Sequence, residues 1–174
     1  WKTLEKTLLM SVVDSNLEGN STGRGIAQSV GTKLKELGSS GMNFKLAGYA
    51  DTNSTVTSYK KFNSNAYMWV ADVNATGGQF RRRLDDVNAS VFRYGESTTT
   101  PTGNYAMSLR LIRDANATPS YIVPQKYPTV KIGDHWWMTE NLRFDVNATK
   151  SFDYNGSLEF SDDTAGKGKN GKLY

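Results

Sequence analysis

Apolar and polar residues are patterned most clearly between Tyr105 and Leu142, and the rest of the chain is organised around this stretch. Tyr105, Met107, Leu109 and Leu111 alternate with Ala106, Ser108, Arg110 and Ile112, so a period of two predicts one strand with a strongly apolar face. Further on, Val130 and Ile132 face away from Thr129 and Lys131, and Gly133-Asp134 offers a tight turn before His135-Trp136-Trp137-Met138. Pro119, Pro124 and Pro128 lie between these strands, so the connector is extended and non-helical. Upstream the period changes. Over 2–13, Leu4, Leu8, Leu9 and Val12 share one helical stripe, with Glu5 on its flank. Over 26–37, Ile26, Val30, Leu34 and Leu37 repeat that stripe, and Gly38 supplies a C-terminal stop. From Gly41 onward, short runs (MNFKLAGYA, NAYMWVAD, QFRRRLD, SVFRYG) separated by Gly, Asn, Asp and Ser predict strands. Two helices followed by many short, twisted strands make the predicted class α+β.

Composition narrows this picture. The 174 residues suit one domain with a real core, or two interlocking half-domains. A hydrophobic content of 37% with 16 glycines is low for an α/β enzyme and suits a loop-rich surface module. With no cysteine, disulfides, thiolate metal sites and thiol nucleophiles are excluded together. No apolar run approaches the length of a membrane span, and no signal peptide is present. Opening at Trp1, the chain reads as processed or as part of a longer protein. The net charge of +4 changes little, because the densest basic run, Arg81-Arg82-Arg83, is split between two faces by strand alternation. A nucleic-acid surface would show a sustained basic stripe with aromatic platforms. Tyr49, Tyr67, Trp69, Phe80, Phe92 and Tyr94 read first as packing residues, with a ligand-stacking surface as the alternative.

The stretch VKIGDHWWMTENLRF, from Val130, resembles the opening signature of the Fibrobacter succinogenes major paralogous domain, a bacterial surface module. SLRLIRD, from Ser108, resembles that family's closing strand, and LKELGSSGMNFKLAGYAD, AYMWV and FRRRLDDVNASVFRYG follow its second half in order. Gly171-Lys172-Leu173-Tyr174 resembles its mid-domain motif. The opening signature here follows the closing strand, so the resemblance implies a circular permutant or a window cut from a tandem array. On that basis 1–114 is the second half of a domain and 115–128 a linker. Residues 129–174 are the first half of the same domain or the next. The resemblance further implies a C-type-lectin-like fold, akin to formylglycine-generating enzymes, with the family's first and last strands paired. Termini that lie together allow a chain to be reopened at a surface loop.

A second signal owes nothing to fold. Seven asparagines stand in Asn-x-Ser/Thr: Asn20, Asn53, Asn74, Asn88, Asn116, Asn147 and Asn155. Each has an acid two places earlier: Glu18, Asp51, Asp72, Asp86, Asp114, Asp145 and Asp153. With 17 acidic residues in 174, one such coincidence has a chance of about 0.1, and seven together about one in ten million. Asp and Asn also make good turns through their own backbone, which accounts for one or two sites but not seven. The pattern resembles the extended acceptor of bacterial oligosaccharyltransferases, which require the acid at −2 as well as the hydroxyl at +2. Covalent N-linked glycans at these sites would coat much of a small surface and limit pairing of exposed sheet edges.

Catalytic constellations are thin. The single histidine, His135, has no identifiable nucleophile and orienting acid in the sequence. Asp85-Asp86 and Asp162-Asp163 are oxygen-ligand pairs without calcium-loop spacing, so no metal or other cofactor is assigned. The expectation is a non-enzymatic, secreted, N-glycosylated protein of the bacterial cell surface. Its predicted role is structural, as a fimbria-like filament or array subunit that partners copies of itself through exchanged elements or donated strands. The alternative is an adhesin or carbohydrate-binding module that uses the loop face near Asn53–Asn65 and Ser97–Asn104 on surface glycans or polysaccharide.

Overall fold

The computed structural model describes residues 1–51, 58–95, 105–116 and 127–142, with the side chain of Asn20 excepted. Among the described residues, three short helices, α1 (Lys2–Thr7), α2 (Val12–Asn16) and α3 (Val30–Leu34), accompany ten strands. The largest sheet has the order β1 (Gly19–Arg24), β6 (Val91–Gly95), β5 (Gln79–Asp85), β4 (Asn65–Val73). A second sheet orders β8 (Ile112–Asp114), β10 (His135–Met138), β9 (Thr129–Ile132), and a third orders β3 (Ser58–Lys60), β2 (Tyr49–Asp51), β7 (Tyr105–Ala106). All pairings within the three sheets are antiparallel.

The predicted α+β, C-type-lectin-like class with two helices is therefore overturned. Among the described residues strand outweighs helix, 42% to 14%. Both predicted helices shrink for local reasons. The first stops at Thr7 because Leu9 turns to φ 79° and leaves the stripe, with Leu9 and Val12 70% and 65% exposed. The chain restarts as α2 at Ser11, whose hydroxyl accepts from Asp14 N at 2.9 Å and so caps the new helix. The second ends at Leu34, four positions before Gly38, because Lys35 goes extended and bridges Phe44. Glu36 N donates to Phe44 O and Phe44 N to Leu34 O, so tertiary pairing overrides the helical stripe and leaves Leu37 95% exposed.

The predicted 105–112 strand is also broken. β7 covers two residues, Ser108 bridges Met68, and β8 begins only at Ile112. Ala106, Met107 and Ser108 are buried in succession while Leu111 is about half exposed, so no single apolar face exists. The 130s do lie against this segment: β10 pairs His135 with Asp114 and Trp137 with Ile112, and Leu142 N donates to Leu109 O. Arg110 ties the same region together. Its guanidinium donates to the carbonyls of Met42, Asn43 and Met138 and to Asn141 Oδ1, and lies over the Phe44 ring.

One core runs through these elements. Leu4, Val30, Leu34, Phe44, Met68, Leu84, Val91 and Trp137 belong to it, so residues from both sides of the 115–128 segment share one apolar interior. Strand alternation in β5 buries Phe80, Arg82 and Leu84 on one side and leaves Arg81 and Arg83 half-buried on the other. Arg82 is tolerated inside because Glu5 meets it there. Arg82 Nε donates to Glu5 Oε1 at 2.8 Å, while the Arg24 guanidinium spans both oxygens of Glu5 at 2.7 and 3.0 Å. All three side chains are 98–100% out of contact with water. Burial alone would push the Glu5 carboxyl up, but the Arg24 hydrogen bonds and the Arg82 charge outweigh it and hold it below the usual glutamate value. The helical stripe had placed Glu5 on a flank; the triad instead pins α1 to β1 and β5.

Candidate functional site: acceptor asparagines and a tyrosine face

Three of the predicted acceptor side chains are described, and each follows shortly after a strand or lies between two. Asn74 opens the β4–β5 turn, Asn88 lies in the β5–β6 loop and Asn116 follows β8. Asn20 lies within β1. Asn53, Asn147 and Asn155, with Asp145 and Asp153, fall outside the described residues, as does Tyr174. Three of the four placed sites therefore sit on or at the end of an outer strand in sheet order: Asn20 on β1, Asn74 after β4 and Asn116 after β8.

The acids behave as individuals. Asp72 and Asp86 are exposed, and Asp86 Oδ1 accepts from Val87 N at 2.8 Å. Glu18 lies 3.5 Å from Arg93, Asp51 2.8 Å from Lys60 Nζ, and the exposed Asp114 3.1 Å from His135 Nε2. Such surface pairs contribute little stability. His135 is thus a strand-start residue facing an acceptor acid.

At Asn74 Oδ1 the bonds are local. Its Oδ1 accepts from Thr76 N (3.0 Å), Thr76 Oγ1 (2.8 Å) and Gly78 N (2.8 Å), an Asx-type turn that closes the hairpin. Thr76 is exposed and Asn74 half-buried, its amide nitrogen lying near Gly95. Around Asn88 the bonds are long-range. Lys35 Nζ donates to the carbonyls of Asp85, Asp86 and Asn88 at 2.9, 3.0 and 3.0 Å. Asp86 N donates to Ser64 O at 2.9 Å and Gly31 N to Ala89 O at 2.7 Å. Asn88 itself is exposed and its Nδ2 donates to Asp85 Oδ2 at 3.0 Å, whereas Ser90 is 1% exposed.

Asp85 was one half of a possible cation pair. Its carboxylate instead accepts from Asn65, Arg83 and Asn88, so donors occupy the lone pairs a cation would need. Among the described residues no group of three His, Cys, Asp or Glu gathers to hold a metal ion. A cleft of about 530 Å³ beside Lys35 is lined by Glu36, Phe44, Lys45, Phe62 and Asn63 among others.

The aromatic residues fall into two sets. Phe80, Phe92 and Tyr67 are buried, with Arg93 and Arg83 each 3.9 Å from the Phe80 and Phe92 ring centroids. The other set surrounds Arg81, whose guanidinium lies 4.7 Å from Tyr94 and 5.7 Å from both Tyr67 and Tyr105. Tyr49 packs edge-on against Tyr67 (4.9 Å) and Tyr105 (5.3 Å). Sequence reading anticipated aromatics as packing or stacking groups but not the arginine at their centre. Only the outward phase of Arg81 on a strand could have suggested it. No helix among the described residues is long and apolar enough to cross a membrane. Compared with protein-family models, curated proteins and solved structures, the chain finds no match in any of the three.

Proposed function

We propose that this chain is a secreted, N-glycosylated structural protein of a bacterial surface, a subunit of an extracellular filament or array rather than an enzyme. One observation carries the reading: all seven Asn-x-Ser/Thr triplets have an acid at −2. The fold supports it in two ways. Glycans at Asn20, Asn74 and Asn116 would stand at outer strands, where a bulky hydrated group blocks unwanted edge-to-edge pairing. Leu9, Val12, Val13 and Leu17 are 41–72% exposed within one short stretch that carries no acceptor, an apolar surface suited to contact with another copy. Intact mass of material from the native host, before and after deglycosylation, tests the first half; a mass equal to the bare polypeptide sinks it. Negative-stain imaging of the same material tests the second half, with filaments or sheets expected and isolated particles the contrary result.

Carbohydrate binding is the second reading, and the tyrosine ring around Arg81 favours it. Aromatic faces and a guanidinium edge suit the apolar and hydroxyl faces of a sugar. A glycan array probed with and without EDTA distinguishes this adhesin reading from a purely structural one.

A further inference from the structure

Asp72–Thr76 and Asp86–Ser90 are nearly the same acceptor, Asp-Val-Asn-Ala followed by Thr or Ser. The transferring enzyme must reach both the acid at −2 and the hydroxyl at +2, so the segment has to expose both at once. The hairpin tip can do this at low cost. Asp72 and Thr76 are exposed, the hydrogen bonds accepted by Asn74 Oδ1 are internal to the turn, and the β4–β5 register slips between Trp69 and Val73, before the tip. The second segment cannot. Lys35, Ser64 and Gly31 bond its backbone at Asp86, Asn88 and Ala89, and its hydroxyl is sealed inside. A Cβ on Gly31 would lie 2.2 Å from Ser90 O, so helix α3 sits directly on the loop.

We propose that Asn88 is glycosylated only while the β5–β6 loop is open, before the chain folds around Ser90, whereas Asn74 remains an acceptor on the folded protein. This rests on the glycosylation reading above and adds an order of events to it. In the transfer, Asn88 Nδ2 forms a bond to the anomeric carbon of a lipid-pyrophosphate-linked oligosaccharide. The sugar–phosphate bond breaks, the pyrophosphate leaves on the lipid, and Nδ2 gives up one proton. The remaining amide proton still bonds Asp85, and the exposed side chain carries the glycan outward, so the modified loop closes as the bare one does.

The test uses the full chain made without modification, a purified bacterial oligosaccharyltransferase and a lipid-pyrophosphate-linked oligosaccharide, with site-resolved peptide mass spectrometry. The unfolded reference is Leu34→Asp, a charge at a fully buried core position, its unfolding checked by loss of near-ultraviolet circular dichroism. The reference should take sugar at Asn74 and Asn88 at similar rates. On the folded chain Asn88 should be about a hundredfold slower than Asn74, which corresponds to a loop opening of about 2.8 kcal/mol. Lys35→Met should raise the Asn88 rate about tenfold and leave Asn74 unchanged. Equal rates at the two sites on the folded chain overturn the proposal. Failure of both sites in the unfolded reference removes the glycosylation reading itself, and the proposal with it.

Discussion

Asp72–Thr76 and Asp86–Ser90 differ by one methyl group, yet the molecule treats them as opposites. The first closes a hairpin with bonds among its own residues. The second is tied to α3, to the residue after it and to the loop at Ser64, all distant in sequence. Opening the first leaves the core untouched, whereas opening the second withdraws Lys35 from three carbonyls and Ser90 from a dry contact. Accessibility is therefore a property of what folds onto a motif, and identical motifs can carry different free energies of opening. Both segments are anchored through β5, so the comparison can be broken at their shared support or sharpened at either end.

The largest effect is expected at the shared support. Glu5→Ala leaves Arg24 and Arg82 buried without their carboxylate, at a cost of about 3–5 kcal/mol. For a chain of this size that lowers the melting temperature by about 10 °C or more. Hydrogen exchange should then show the Gly31 and Asp86 amides, which donate to Ala89 O and Ser64 O, losing protection toward the level of the 74–78 turn; continued strong protection in the variant would count against β5 as the common anchor. The same residue sets an acid limit. Because the folded Glu5 value is lowered, its stabilisation is complete above the ordinary carboxyl value of about 4.3 and disappears as pH falls through the lower folded value. Thermal melts between pH 7 and 3 should drop steeply below that point in the native chain, and less so in Glu5→Ala.

Much of the sheet was legible from sequence. Residues 65–73, 79–85 and 91–95 fall on short apolar and aromatic runs separated by Asn, Gly, Asp and Ser, and alternation within 79–85 divides Arg82 from Arg81 and Arg83. The helices were not, because a stripe such as Ile26, Val30, Leu34 and Leu37 says nothing of the Lys35–Phe44 bridge that stops the helix. Glu5 misled for a related reason: a charged residue on a helix flank reads as solvated unless its partners, in β1 and β5, are known. The acceptor motifs stand out as a pattern because the acid, the amide and the hydroxyl lie within five residues of sequence. Their inequality does not, since a small serine in a turn-forming motif gives no sign that Gly31 packs on it.

Next in size is the lid over the second acceptor. Gly31→Ala places a methyl group against the Ser90 carbonyl, backbone that can yield only by moving the loop, at about 1–3 kcal/mol. It should raise hydrogen exchange at the Asp86 amide, which donates to Ser64 O, and increase modification of Asn88 on the folded chain, with no change at Asn74. At the hairpin tip, Gly77 has φ 82°, and Gly77→Ala should cost about 1 kcal/mol while leaving exchange at the Asp86 and Gly31 amides as it was. A rise at those two amides in that variant would mean the two segments open together, and the contrast between them would collapse.

The smallest effect is the most discriminating. Thr76→Ala removes the +2 hydroxyl of the first acceptor and one exposed bond, Thr76 Oγ1 to Asn74 Oδ1. Asn74 Oδ1 keeps the backbone donors of Thr76 and Gly78, so the turn survives. Stability should change by less than about 0.5 kcal/mol, under roughly 2 °C in melting temperature. Glycan should vanish from Asn74 alone, with occupancy at Asn88 the same in protein modified during synthesis. If the melting temperature instead falls by several degrees, the tip is coupled to the body of the sheet. Its openness would then no longer separate it from the loop that α3 covers.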